Sequence, residues 1–282
     1  MRFLLLAVAL LSSPAAAQNR AIASDPPVDK AHPASMQVLH IPSGGVAING
    51  VAYRPAGAGL HPVLVLLHGL PGNEKNLDLA QAARRAGWIA VTFNYRGSWG
   101  SPGRFSFAHV LADSAAVLAF LRDPAQAARL GADPARIVLA GHSMGGWATL
   151  LTAARDHALA GAIAISAADL GMFAGQPRAE VTAFMADNAE TLATTPATMA
   201  DEAIANGPAM RLGTAAPGLA RTPLLVLTSD DGLAPAADAL VATVRREGNS
   251  RVATLHAATD HGWSDHRIAL ESAILDWLDA LR

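Results

Sequence analysis

The sequence contains no cysteine, although it is 282 residues long. Disulfide bonds are therefore excluded, and the stability of the fold has to come from buried apolar surface. Hydrophobic residues make up 51% of the chain, which is enough for a large core, and the length fits one large α/β domain or two small ones. Histidine, aspartate and glutamate do not cluster at the spacing of metal ligands, so we expect no bound metal.

Charge is also scarce, since only 16% of the residues are charged and the formal net charge is −2. The chain has no basic run that would attract nucleic acid, so we expect no nucleic-acid partner. It has neither a P-loop nor a G-x-G-x-x-G turn, and we expect no cofactor.

A long hydrophobic run is present at residues 3–11. It follows Arg2 and precedes small residues at 15–17. This layout is typical of a secretory signal peptide, here residues 1–17. A retained anchor is the competing interpretation, but the run is shorter than the roughly 20 apolar residues that span a bilayer. We therefore predict a secreted or periplasmic protein without a membrane span after cleavage, beginning with a flexible lead-in at 18–35.

Strand-like and helix-like segments alternate along most of the remaining chain. This order predicts a mostly parallel central sheet with helices on both faces and an antiparallel hairpin at one edge. The predicted strands are 36–42, 46–54, 61–69, 88–95, 137–141, 159–166, 223–229 and 251–257. The predicted helices are 76–86, 105–122, 143–156, 236–247 and a closing helix that reaches Leu281.

The segment 167–221 interrupts this alternation after the sixth strand and is too long for an ordinary connection. It contains helix-like pieces near 178–190 and 196–206. We interpret it as a helical lid inserted into one α/β domain that covers residues 36–282.

The stretch "GHSMGG" places Ser143 between glycines where a buried strand gives way to a helix. Such a sharp turn forces the serine into strained backbone geometry and exposes its hydroxyl at the sheet edge. A simple small-residue turn is the alternative interpretation of this pattern alone.

A serine nucleophile needs a histidine base and a carboxylate that orients the histidine. Strand 223–229 runs into Asp230 and Asp231, and strand 251–257 runs into a loop that contains His261. Because the carboxyl ends of parallel strands share one sheet edge, we expect these side chains to meet Ser143 there. The chain order is Ser, Asp, His.

An oxyanion intermediate also needs two backbone N–H donors. Met144, directly after the serine, supplies one candidate. The turn "HGLPG" after strand 61–69 supplies the other, and Leu70 N–H is its best-placed donor.

Together, "HGLPG", "GHSMGG", "DDGLAP" and "TDHGW" resemble the α/β-hydrolase superfamily over nearly all of the chain after residue 35. The run "NYRGSWGSPG" is similar to the prolyl-oligopeptidase-like and dienelactone-hydrolase-like branches. The resemblance implies an α/β-hydrolase fold. It also favours Asp231 as the acid, because the family's acid is followed four residues later by a proline, here Pro235. The chain departs from the peptidase pattern at Leu70, where a second glycine is usual, and it has no propeller.

Three aromatic residues on predicted carboxyl-edge loops are candidates for substrate binding: Tyr95, Trp99 and Trp263. Packing is the alternative role for each. The lid is rich in flexible and aromatic side chains, which suit either an adaptable apolar binding surface or a small core of its own. These are Met172, Met185, Met199, Met210, Phe173 and Phe184.

These features favour a serine hydrolase and, among such enzymes, a carboxylesterase for small or medium acyl esters. One alternative is a small serine peptidase or aminopeptidase, whose substrate amine would be held by acidic lid residues. Those acids are Glu180, Asp187, Glu190, Asp201 and Glu202. An alternative of another class is a non-catalytic binding module on the same fold. The substrate is thus a small ester or a short peptide, and the pattern does not indicate an oligomeric state.

The signal-peptide interpretation predicts that the exported protein begins at or near Gln18, because the small residues at 15–17 suit cleavage. The intact mass of the natively exported protein checks this. A mass that includes Met1 would contradict it.

Overall fold

The computed structural model describes residues 19–281, so the predicted signal peptide at 1–17 lies outside the described residues. Eight strands within this part form one sheet. They are β1 (Ser35–Ser43), β2 (Val46–Arg54), β3 (His61–Leu67), β4 (Ile89–Phe93), β5 (Ala132–His142), β6 (Gly161–Ile165), β7 (Leu224–Ser229) and β8 (Val252–Ala257).

The strand order in the sheet is β1-β2-β4-β3-β5-β6-β7-β8. β1 pairs with β2 and β2 with β4 in antiparallel fashion, and the remaining pairs are parallel. The prediction of a mostly parallel sheet with an antiparallel hairpin at one edge is therefore confirmed.

The central strands are continuous apolar runs because both of their faces are buried. In β3, Val63 and Val65 pack into one core, and Leu64 and Leu66 pack into another on the opposite face. β1 instead alternates buried and exposed side chains toward its end, as expected for an edge strand with one solvated face.

Nine α-helices lie within residues 19–281. They are α1 (Arg20–Ala23), α2 (Leu77–Arg85), α3 (Phe107–Arg122), α4 (Pro124–Leu130), α5 (Met144–Ala153), α6 (Arg178–Ala186), α7 (Pro196–Asn206), α8 (Ala234–Arg246) and α9 (Arg267–Ala280). Helices α3 and α5 contribute to the core on one face of the sheet, and α2 and α9 contribute to the core on the other.

Helix α4 was not predicted, and β5 begins five residues before the predicted strand at 137. The capping residues of α4 set where this helix begins and ends. Asp123 accepts hydrogen bonds from Ala125 N–H and Gln126 N–H, while Gly131 ends the helix with a φ of 68°. Short helices bounded by such caps carry too few apolar residues for a clear helical periodicity.

The insertion between β6 and β7 contains α6, α7 and several 3₁₀ turns, so the predicted helical pieces are present. α6 ends at Ala186 rather than 190. Glu202 on α7 accepts hydrogen bonds from the backbone N–H groups of Phe107 and Ala108 at 3.0 and 2.8 Å. The insertion is thereby attached to the first turn of α3.

Residues 19–34, predicted to be a flexible lead-in, include α1. Ala21 and Ile22 pack against the core on the α2 and α9 face, and the guanidinium of Arg85 donates to the carbonyl of Ala21.

None of the helices in the described range has the length and apolar character needed to cross a membrane.

The crossing of α5 over β3 requires glycine at position 145. A Cβ at Gly145 would lie 2.0 Å from the carbonyl oxygen of Leu67, a backbone atom that cannot move aside cheaply. A Cβ at Gly141 would lie 2.1 Å from the carbonyl oxygen of Gly145. Gly145 therefore allows α5 to approach β3, and Gly141 allows the strand and helix that flank Ser143 to approach each other.

We expect Gly145→Ala to lower the free energy of unfolding by about 3 kcal/mol, because the added methyl group overlaps backbone atoms. Urea unfolding measures this. Gly213→Ala is the matched control, since Gly213 is exposed and a Cβ there meets nothing within 4 Å. A change of similar size in both variants would contradict the prediction.

Candidate active site

Ser143 occupies the turn between β5 and α5 with φ 58° and ψ −120°. This conformation with positive φ is strained for a residue with a side chain, and it is typical of the sharp strand-to-helix turn that carries a nucleophile. The backbone holds it in place, since Ser143 N–H donates to the carbonyl of Ile165 at 2.9 Å.

His261 and Asp231 form a direct hydrogen bond at the same edge of the sheet. The Nδ1–H of His261 donates to Asp231 Oδ2 at 2.7 Å, and Leu233 N–H donates to Asp231 Oδ1 at 2.9 Å. Burial works to raise the pKa of Asp231, but the hydrogen bonds from His261 and Leu233 outweigh it and lower the pKa below its usual value. The carboxylate thus stays ionised beside the imidazole.

Asp230 lies close in sequence to Asp231 but has a different partner. Its exposed carboxylate lies 3.0 Å from His256 Nε2, and the other ring nitrogen of His256 is 3.0 Å from the Thr228 hydroxyl. Of the two aspartates, only Asp231 is bonded to His261. The side chain of Asp231 is 4% exposed, whereas that of Asp230 is 63% exposed.

Two side chains hold the loop that carries His261. His142 Nε2–H donates to the carbonyl of His261 at 2.7 Å, and their ring centroids are 4.5 Å apart. Arg267 donates to the carbonyl of Gly262 at 3.2 Å, and the guanidinium is itself held by Asp78 at 2.6 and 2.8 Å. The sequence analysis identified neither side chain as a support of this loop.

His142 is uncharged at neutral pH. Burial, followed by the neighbouring His261, lowers the pKa of His142 to about 4. The neighbouring His142 ring therefore places no positive charge beside His261.

Leu70 and Met144, the two predicted oxyanion donors, border the cavity at Ser143. Met144 is the first residue of α5, so its N–H has no acceptor within the helix. The loop before Leu70 is held by His68, whose Nδ1–H donates to the carbonyl of Gly69 at 2.8 Å. Burial lowers the pKa of His68 to about 4, so this ring is neutral as well.

The structure corrects the expected roles of the three aromatic residues. Tyr95 and Trp263 are fully buried, and neither lines the cavity at Ser143. The Tyr95 hydroxyl donates to the carbonyl of His68 at 3.2 Å, so it supports the loop from behind. Trp99 is partly exposed, but it lies outside the cavity and donates to the carbonyl of Pro71 at 2.9 Å.

A cavity of about 340 Å³ connects Ser143, Asp231 and His261 with the insertion. Its walls are mostly apolar, and Asn188 is a polar exception from the insertion. The wall residues from the insertion and from the loop after β7 are Ala168, Leu170, Met172, Phe173, Phe184, Asn188 and Leu233. Of these, the sequence singled out Met172, Phe173 and Phe184.

The remaining lid methionines pack inside the protein. Met185, Met199 and Met210 are buried in the core on the α3 and α5 face. These methionines thus join the main core rather than a separate core of the lid, whereas Met172, Phe173 and Phe184 line the cavity. Among residues 19–281, no group of three or more histidine or acidic side chains is placed to hold a metal ion.

The comparisons with solved structures return the same architecture. A thermostable carboxylesterase from a metagenomic library matches with a TM-score of 0.67 and 21% identity, over 93% of this chain and 92% of that one. An esterase of Pyrobaculum calidifontis matches with a TM-score of 0.66 and 21% identity, over 93% and 88%. The acylaminoacyl peptidase of Pyrococcus horikoshii matches with a TM-score of 0.66 and 18% identity, over 87% of this chain but 41% of the peptidase.

A curated relative, the quorum-quenching protein AidA of Acinetobacter baumannii, is 32% identical over 127 residues. The match covers 43% of this chain and 40% of the length of that relative. The model of the "Alpha/beta hydrolase family" matches residues 64–278, which include the predicted nucleophile, acid and base. This match supports a hydrolase function. Together with the eight-stranded sheet, it shows that the chain belongs to the alpha/beta hydrolase family.

Proposed function

We propose that the protein is a serine hydrolase that acts through an acyl-enzyme and prefers carboxylic esters of small or medium acyl groups. The observation that supports this proposal best is the apolar cavity at Ser143, with the hydrogen-bonded pair of His261 and Asp231 in its wall.

In the first step, Ser143 Oγ attacks the ester carbonyl carbon while His261 Nε2 accepts the hydroxyl proton. Asp231 keeps the proton of His261 on Nδ1, so that Nε2 is free to act as the base. The N–H groups of Leu70 and Met144 donate to the oxyanion. His261 then gives its proton to the leaving alcohol, and the same groups assist water in hydrolysing the acyl-enzyme.

The apolar walls favour an acyl chain over a free amino group. An aminopeptidase needs a carboxylate that binds the ammonium group of its substrate, but none of the five acidic lid residues lines the cavity. Asp201 is paired with Arg178 at 2.6 Å, and Glu202 is bonded to the first turn of α3. Asp231, which does line the cavity, already accepts from His261 and Leu233.

We also propose that the enzyme acts outside the cytoplasm, as a secreted or periplasmic protein. This part of the proposal depends on the signal-peptide pattern at residues 1–17.

The proposed orienting role predicts different effects of two neighbouring substitutions. Asp231→Asn leaves an amide that no longer fixes the required tautomer, so we expect kcat to fall by about 10⁴-fold. Asp230→Asn is the matched control and should change kcat by less than about threefold, since Asp230 is exposed and bonded to His256. Steady-state kinetics with both folded variants measure this. A larger loss in Asp230→Asn would contradict the assignment.

The ester preference predicts a higher kcat/KM for p-nitrophenyl butyrate than for alanine p-nitroanilide, because the cavity presents apolar walls and no free carboxylate to the substrate. Both reactions are followed on one purified sample. Faster anilide cleavage would overturn the ester assignment but keep the serine mechanism. A fluorophosphonate probe provides the control: failure to label Ser143 in the wild type, with Ser143→Ala as the blank, would favour the non-catalytic binding module.

A further inference from the structure

Three buried side chains beneath the catalytic loops form a hydrogen-bond chain. Trp263 Nε1–H lies 3.0 Å from Ser166 Oγ, and Ser166 Oγ lies 2.8 Å from Ser229 Oγ. Ser229 ends β7 two residues before Asp231, and its hydroxyl contributes to the lowering of the pKa of the Asp231 carboxyl group. Trp263, Ser166 and Ser229 are each at most 1% exposed, so solvent does not compete for these bonds.

The chemistry of the two ends fixes the direction of every bond in this chain. An indole N–H can only donate and an ionised carboxylate can only accept. Ser166 therefore accepts from Trp263 and donates to Ser229, and Ser229 donates to Asp231. Each bond polarises the next in the same sense, which strengthens the last one in a site of low dielectric constant.

The hydrogen-bond chain also joins three parts of the fold that are separate in sequence. Ser166 follows β6, Ser229 ends β7, and Trp263 lies two residues after His261 in the loop that follows β8. Ser166 and Trp263 have φ values of 42° and 59°, conformations that side-chain-bearing residues rarely adopt. Surrounding interactions must hold such residues in place, as in the bond from Ser166 N–H to the carbonyl of Leu227 at 2.8 Å.

We propose that Trp263, Ser166 and Ser229 are positioning residues for the Asp231–His261 pair. Ser229 fixes the carboxylate, while Trp263 ties the loop that carries His261 to the same hydrogen-bond chain. The inference rests on the proposed function, because it assigns to these residues a task within that reaction.

The test compares Ser229→Ala, Ser166→Ala and Trp263→Phe with Ser114→Ala in steady-state hydrolysis of p-nitrophenyl butyrate. Ser114 is the matched control because it is equally buried, yet its hydroxyl donates to the carbonyl of Val110 within α3. We expect kcat to fall at least about tenfold in the three variants of the hydrogen-bond chain, since a small misplacement of a catalytic group lowers the rate strongly. KM should change by less than about twofold, because the residues changed do not line the cavity.

The pH profile gives a second readout that loss of stability alone would not move. Without the Ser229 hydroxyl, the negative charge of Asp231 has one stabilising partner fewer and interacts more strongly with a positive charge on His261. The acidic limb of kcat/KM in Ser229→Ala should therefore move to higher pH. The other charged or titratable groups around this pair are unchanged in every variant: His142 from β5, Arg267 from α9 and the Asp230–His256 pair.

The double variant Ser166→Ala/Trp263→Phe should lose less activity than the product of the two single losses. Both substitutions break the same hydrogen-bond chain, so their effects are not independent. The inference would be overturned if these variants and Ser114→Ala had the same kcat and KM and differed only in their thermal unfolding. Failure of the wild type to react with the fluorophosphonate would instead overturn the proposed function, and this inference with it.

Discussion

The site depends on one close backbone contact, where the first turn of α5 passes over the end of β3. Gly145 lies so near the carbonyl of Leu67 that no side chain fits between them. This contact brings the strand that leads into "HGLPG" and the helix that follows Ser143 together. As a result, Leu70 and Met144 border the same cavity as the serine. Main-chain packing thus brings together the two residues that carry the proposed oxyanion donors, and the side chains of His68 and Tyr95 support the loop before Leu70.

The sequence predicted most of the fold and the residues proposed to catalyse the reaction, because both follow from local rules. Continuous apolar strands, alternating helices and the order Ser143, Asp231, His261 all depend on position along the chain. The choice of Asp231 over Asp230 needed the resemblance to a family, since both follow β7 directly. Their different exposure follows from tertiary packing.

The side-chain directions of loop residues could not be predicted in this way. Tyr95 and Trp263 lie at the expected edge of the sheet, yet both rings are turned into the protein. A loop has no fixed periodicity, so its sequence does not say which residues face a cavity. The hydrogen bonds by which His142 and Arg267 hold the His261 loop were missed for a similar reason. Their acceptors are backbone carbonyls in that loop, and a sequence does not show which side chain reaches a given carbonyl.

The attachment of α7 to α3 through Glu202 affects how a substrate can reach Ser143. Swinging the insertion outward would break two charge-assisted hydrogen bonds and leave the first N–H groups of α3 without that partner. Rotamer changes of Met172 and Phe184 cost far less, since both side chains are about half exposed at the rim of the cavity. Entry past these two flexible side chains is therefore energetically cheaper than a hinge motion. In the proposed reaction, the width of this entrance, rather than the volume of the cavity, would limit the bulk of the acyl groups that can enter.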